Sequence, residues 1–195
     1  VTAAGELTQV AAAKVFGTTS FTSTSGNIAV TNTNNSFGRV FVTGNAAISI
    51  VENGTLNLGR VTMPGAATGN FSATSVNGDI IDTGLSQVRP GGAVGNVGTG
   101  VVSLTASNGN ITLDDPTTEF PTSGGVVFNA KNVTLAPLGG ATLVLGAANQ
   151  TASAANLTVT SATGSIGNAG AVKVTGDASF QTGTGNIDLT NSGNA

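Results

Sequence analysis

The heptapeptide GNIAVTN at residues 26–32 returns as GNIDLTN at 185–191 and, more loosely, as GNITLDD at 109–115. The first and last copies are offset by 159 (185 − 26). Laid over 160–195 at that offset, residues 1–36 need no gap. Gly5 falls on Gly164, Lys14 on Lys173, Val15 on Val174, Phe21 on Phe180, Ile28 on Ile187 and Asn35 on Asn194. Abundant Gly, Ser, Thr and Asn inflate chance matches. The Lys and Phe matches do not arise that way, since the chain has six Lys and Arg together and eight Phe.

A shorter repeat lies inside the long one. Gly26, Asn27, Ile28 and Phe37 meet Gly109, Asn110, Ile111 and Phe120 at an offset of 83 (109 − 26). Three inserted residues make it 86, and Val40 then meets Val126, Ser75 meets Ser161 and Gly78 meets Gly164. Residues 1–195 are therefore expected to be a single solenoid segment with repeat units starting near 26, 109 and 185. Repetition on this scale signals stacked units rather than a closed globule. The chain opens without Met and stops in mid-pattern at NSGNA. It is expected to be a segment of a longer repetitive chain.

Each repeat alternates. Ile28-Ala29-Val30, Val40-Phe41-Val42, Ile48-Ser49-Ile50, Leu56-Asn57-Leu58, Ile111-Thr112-Leu113, Val133-Thr134-Leu135 and Leu157-Thr158-Val159 put apolar residues at i and i+2. A period of two is a half-buried strand. Gly and Asn separate these segments and mark turns. Helical spacing is confined to a possible turn at Val10–Lys14. The pattern predicts an all-β right-handed parallel β-helix (β-solenoid) of roughly 20 residues per coil and about ten coils, on the order of 45–50 Å long at the strand spacing. β-Sandwich repeats are the alternative. Residues 82–100, DTGLSQVRPGGAVGNVGTG, break the pattern and are expected to be a loop insertion, as is DPTTEFPTSGG at 114–124.

Composition narrows the function classes. The chain has no Cys, His, Trp or Tyr, and its net charge is −3. Zero Cys excludes a disulfide scaffold and thiolate metal sites. Zero His removes the commonest general base and metal ligand. No basic stripe with stacking aromatics suits nucleic acid, and no apolar run is long enough to span a membrane. Asp79, Asp82, Asp114 and Asp115 could be read as a Ca²⁺ cluster, but turn capping and solvation explain them better. No catalytic, cofactor-binding or metal-ligating residues and no cofactor are expected. The residues singled out are structural. Gly26, Gly109 and Gly185 should turn the chain. Asn27, Asn110 and Asn186 recur beside them, with Asp79 and Ser165 in the same slot elsewhere. They should stack as side-chain amide ladders and tolerate left-handed turn conformations. Outward Thr31, Thr112, Thr134, Thr158 and Thr160 could form a flat array of the ice-binding kind, although β-propensity alone accounts for them.

The order GNIAVTNTNNSFGRVFVTGNAAISI, then LNLGRVT, then GNFSATSVNGDIIDTG, resembles the repeats of giant bacterial surface proteins. These are the filamentous-haemagglutinin-like and autotransporter-adhesin β-helices, with G-[ND]-I-x-[LV] strands, N-x-F-G turns and V-T-G strands. The resemblance covers nearly the whole chain except 82–100. It implies an exported, fibrous, non-enzymatic structural protein at the bacterial cell surface or outside the cell, serving attachment, biofilm or filament building. Its partners would be copies of itself or adjoining repeats, with surface glycans as a further class. A carbohydrate-active β-helix enzyme is the alternative, and needs several carboxylates converging on one face.

Overall fold

The alternation becomes a pleat. Ile48–Glu52 buries every second residue, as do Phe71–Ser75 and Val102–Ala106. The computed structural model describes residues 1–63, 69–90, 100–115, 118–120, 124–138 and 140–195, those at 83–90 by backbone alone. Its strands are β1 (Thr2–Ala3), β2 (Leu7–Thr8), β3 (Lys14–Ser23), β4 (Ile28–Val30), β5 (Ser36–Gly44) and β6 (Ile48–Glu52). Then come β7 (Leu56–Met63), β8 (Phe71–Ser75), β9 (Ile80–Pro90), β10 (Val102–Ala106), β11 (Ile111–Leu113) and β12 (Val126–Leu135). The last are β13 (Leu143–Leu145), β14 (Ala152–Ser161), β15 (Ile166–Asn168), β16 (Val172–Val174), β17 (Ala178–Thr182) and β18 (Ile187–Asp188).

Pairing sorts the strands into three columns, the faces of a solenoid. In the first, Leu7, Ile28, Ile48, Phe71, Val102 and Val126 stack through β2, β4, β6, β8, β10 and the start of β12. The start of β14 and then β16 continue it. In the second, Leu56, Ile80, Ile111, Val133, Leu157 and Ala178 stack through β7, β9, β11, the ends of β12 and β14, and β17. The third stacks Thr2, Thr22, Thr43 and Thr62 through β1, β3, β5 and β7 and reaches the end of β9. Further on it holds Leu143, Ile166 and Ile187 of β13, β15 and β18. Every strand pairing among the described residues is parallel, and one isolated antiparallel bridge joins Ala147 to Gln150. Parallel pairing between successive coils rules out the sandwich, whose sheets are antiparallel.

From β2 to β16 the first column climbs about seven turns of roughly 22 residues, so the coils are longer than the 20 residues expected and fewer than ten. Its stack is therefore on the order of 34 Å long at the ~4.8 Å strand spacing. Corners consume the difference. First-column steps are 21 (28 − 7), 20 (48 − 28) and 23 (71 − 48) residues, then 31 (102 − 71) and 24 (126 − 102). The 31-residue step contains the whole of 82–100, the segment expected to be a loop. Part of it is strand instead. β9 runs to Pro90, with Gln87–Pro90 beside Arg60–Met63. The Gly- and Pro-containing sequence argued against this, but β7 supplies the ladder partners. Residues 91–99 of the expected insertion lie outside the described residues. At 114–124, Asp114 and Asp115 leave the strand as expected, and 116–117 and 121–123 lie outside the described residues. No helical turn forms at Val10–Lys14, where β3 begins.

Val, Ile, Leu and Phe fill the core between the three faces, with Ile50, Leu56, Leu58, Phe71 and Leu113 fully buried. Phe21 and Phe37 meet edge to face with 5.7 Å between ring centroids.

Candidate functional site

The recurrent unit is a corner. Its working part starts three residues before each glycine. Ser23 Oγ accepts the Gly26 N–H at 3.0 Å and donates to the Gly5 carbonyl of the coil below at 2.6 Å. Ser75 Oγ accepts the Gly78 N–H at 3.0 Å and donates to the Gly54 carbonyl at 2.7 Å. Ser161 Oγ accepts the Gly164 N–H at 3.1 Å, and Thr182 Oγ1 donates to the Gly185 carbonyl at 2.7 Å. At Ala106 a hydroxyl is missing, and the Gly109 N–H goes to the Ala106 carbonyl at 2.9 Å. The inward hydroxyl satisfies polar backbone where the strand ladder is interrupted. Sequence reading passed over this residue, although [ST]-x-x-G is legible at 23–26, 75–78, 161–164 and 182–185.

Gly26, Gly109 and Gly185 are needed for space, not for left-handed backbone. A Cβ on Gly26 would fall 2.3 Å from the Glu6 nitrogen, on Gly109 2.1 Å from the Gly78 oxygen, and on Gly185 2.2 Å from the Gly164 oxygen. Successive coils touch backbone to backbone there.

The next residue caps the coil above. Asn27 Oδ1 accepts the Ala47 N–H at 3.1 Å, and Asn70 Oδ1 the Val101 N–H at 2.8 Å. Asp79 Oδ1 accepts the Asn110 N–H at 2.7 Å, and Ser165 Oγ the Asn186 N–H at 3.0 Å. Asn110 also belongs to an amide ladder. Its Nδ2 donates to Asp79 at 3.3 Å, Asn132 donates to Asn110 at 2.7 Å, and Asn156 donates to Asn132 at 2.7 Å. Asn156 Oδ1 ends the ladder on the Asp177 N–H at 2.9 Å.

Asn27, Asn110 and Asn186 do not stack on one another. They open β4, β11 and β18, which belong to the first, second and third columns. One corner design therefore serves all three edges of the solenoid. None of the three is left-handed, and Asn149 is the non-glycine with positive φ among the described residues.

Two acids are buried in the same service. Glu52, 2% exposed, accepts the Phe37 N–H at 2.9 Å and bonds the Gly54 backbone. Burial pushes its carboxyl up to about 7 against those bonds. Asp82 accepts the Asp114 N–H at 3.0 Å and the Thr118 hydroxyl at 2.7 Å. Burial raises its pKa, and the charge of Asp114 adds to the rise. The carboxylates are turned onto backbone. Among the described residues, no group of three or more acidic side chains is placed to hold a metal ion. No helix there is long and apolar enough to cross a membrane.

Thr112, Thr134 and Thr158 stack on the second face and Ser179 follows them, whereas Thr31 lies outside any strand. On the third face the Arg39 guanidinium lies 5.3 Å from the Phe41 ring centre, and that ring occupies the space beside Gly59.

A family model described as "Repeats of unknown function (DUF5649)" matches residues 1–44 and 130–195. These are 110 of the 195 residues (44 + 66), and they contain both copies related by the 159-residue offset. No curated protein and no solved structure matches the chain. With more than half its length matched, the chain belongs to the DUF5649 family of repeats of unknown function.

Proposed function

We propose that this chain is a structural, non-enzymatic segment of an extracellular or cell-surface bacterial fibre or adhesin. It acts as a stiff spacer, and its partners are adjoining repeats or further copies, with surface glycans a second class. The observation that carries this reading is the continuous vertical bonding. Backbone ladders run up three faces, and the Asp79–Asn110–Asn132–Asn156 side chains bond along the axis at the corner between the first and second faces. Such a stack resists bending, because tilting one coil breaks bonds on all three faces. The polar side chains in and around the core support the same reading, since Ser23, Ser75, Glu52 and Asp82 are engaged with backbone.

Small-angle scattering and negative-stain microscopy of several copies of the 159-residue period joined in tandem test it. A rod that lengthens with each added copy is expected. A particle that does not lengthen as copies are added, or release of reducing sugar from polysaccharides, would overturn it.

A further inference from the structure

The 159-residue offset is a repeat of hydrogen bonds as well as of letters. Asn35 Oδ1 accepts the Ala13 N–H at 2.9 Å and the Gln9 side-chain amide, and its Nδ2 donates to the Val30 carbonyl at 3.5 Å. Asn194 Oδ1 accepts the Val172 N–H at 2.9 Å and the Asn168 amide at 2.9 Å, and its Nδ2 donates to the Leu189 carbonyl at 3.0 Å. The Asn35 N–H bonds the Asn32 carbonyl at 3.1 Å, as the Asn194 N–H bonds that of Asn191 at 3.1 Å. Ser36 bonds Ala13 as Ala195 bonds Val172. Each of these partners has moved by 159 residues. In space the copy lies six turns and two faces further on, by way of β6, β8, β10, β12, β14 and β16 and then β17 and β18.

The two copies differ in what lies above them. Asn35 Nδ2 also reaches the Val51 carbonyl at 3.0 Å, and its own carbonyl accepts the Asn53 N–H at 2.9 Å. Both come from the next coil. That coil leaves Ile28 1% exposed, whereas Ile187 is 46% exposed. Phe21 and Val30 are buried, but Phe180 and Leu189 only partly so. An apolar cavity of about 400 Å³ opens between Val172, Phe180 and Leu189.

We infer that this end of the solenoid is an acceptor for one particular coil, that of residues 37–58, supplied by a second copy of the 159-residue period. Ala195 occupies the place of Ser36, so a second copy in this register would seat with its Phe37 directly beyond Ala195. Ile187 would take an Ile48, Asn186 would cap an Ala47 N–H, and Asn194 would bond a Val51 carbonyl. The biological sense of this rests on the spacer reading, but its geometry does not.

A chimera of residues 1–195 followed directly by 37–195 tests the inference. Its control starts the second copy at 38, which sends every following side chain to the opposite face until the next corner. The in-register chimera should unfold in one cooperative transition, several degrees above the parent. Its longest dimension in scattering should grow by roughly 30 Å, from six and two-thirds turns at the ~4.8 Å spacing. The shifted control should melt at or below the parent midpoint. Ile187→Asp should lower the midpoint of the in-register chimera by several degrees and that of the parent by little. In-register and shifted chimeras that behave alike, folded or not, would overturn the acceptor. Release of reducing sugar from polysaccharides by the parent chain instead defeats the spacer reading and leaves the register of stacking untouched, so the two failures are distinct.

Discussion

The Oε2 of Glu52 accepts the backbone N–H of Phe37 at 2.9 Å inside the core, with its pKa raised to about 7. An exposed carboxyl in the unfolded chain titrates near 4.5. Between these values the native state holds the extra proton, so stability is fully present below about 4.5 and is lost as pH rises through about 7. Asp82, also raised by burial, contributes in the same direction. The chain should therefore be more stable at pH 5 than at pH 8, with Glu52 contributing on the order of 3 kcal/mol. Urea denaturation across that range checks this. Glu52→Gln should flatten most of the slope, and an unchanged slope would count against the buried acid.

Glycines here are predicted to differ sharply by position. Gly109→Ala forces a Cβ to 2.1 Å from the Gly78 oxygen, whereas Gly54→Ala meets nothing within 4 Å. The first should cost about 3 kcal/mol, because backbone must shift. The second should be neutral or stabilise by about 0.5 kcal/mol through the unfolded chain. Thermal midpoints of the two variants should separate by roughly 10 °C.

Asn132 donates to Asn110 and accepts from Asn156, both at 2.7 Å. Asn132→Ala removes both bonds at an exposed site and should cost about 1 kcal/mol. Asn132→Asp keeps the acceptor for Asn156 but puts an oxygen against the Asn110 oxygen. It should therefore be no better than alanine, which chemical denaturation of the pair decides.

The inward hydroxyls invite a reciprocal exchange. Ser75→Ala strips the Gly78 N–H and the Gly54 carbonyl of a partner and should cost about 1–2 kcal/mol. Ala106→Ser installs the same hydroxyl one coil higher and should leave stability unchanged or raised. Loss of stability in both would mean that the hydroxyl is incidental to the corner.

The strands were legible because the pleat writes itself as alternation. Ile28, Ile48, Leu56 and Ile111 all read as inward and all are buried. Coil length was less legible, because several strands bend around a corner instead of ending there. β12 pairs Asn129 with Ser153 on one face and Val133 with Leu157 on the next, and the exposed Lys131 and Asn132 lie between. Local sequence cannot distinguish such a bend from a turn between separate strands. Asn35 was visible only as a matched letter. Its full burial and its bonds to Gln9, Val30 and Val51 depend on three coils meeting at one place. Gly26, Gly109 and Gly185 were read as turn residues, and the lack of room for a Cβ there was not legible, since crowding by the coil below leaves no mark near the glycine in sequence.

A corner that works equally on all three edges bears on how such a chain can lengthen over generations. If the corner were tied to one edge, only whole turns could be gained or lost without scrambling the core. Here Ser23–Gly26, Ser75–Gly78 and Ser161–Gly164 turn three different edges with the same bonds. A duplication or deletion bounded by two adjacent corners keeps inward residues inward and rotates every later strand by one face. The smallest heritable unit is then a strand with its corner, a third of a turn. A lineage of these chains can drift in length in such steps, and bands of surface side chains would wind around the rod as it does.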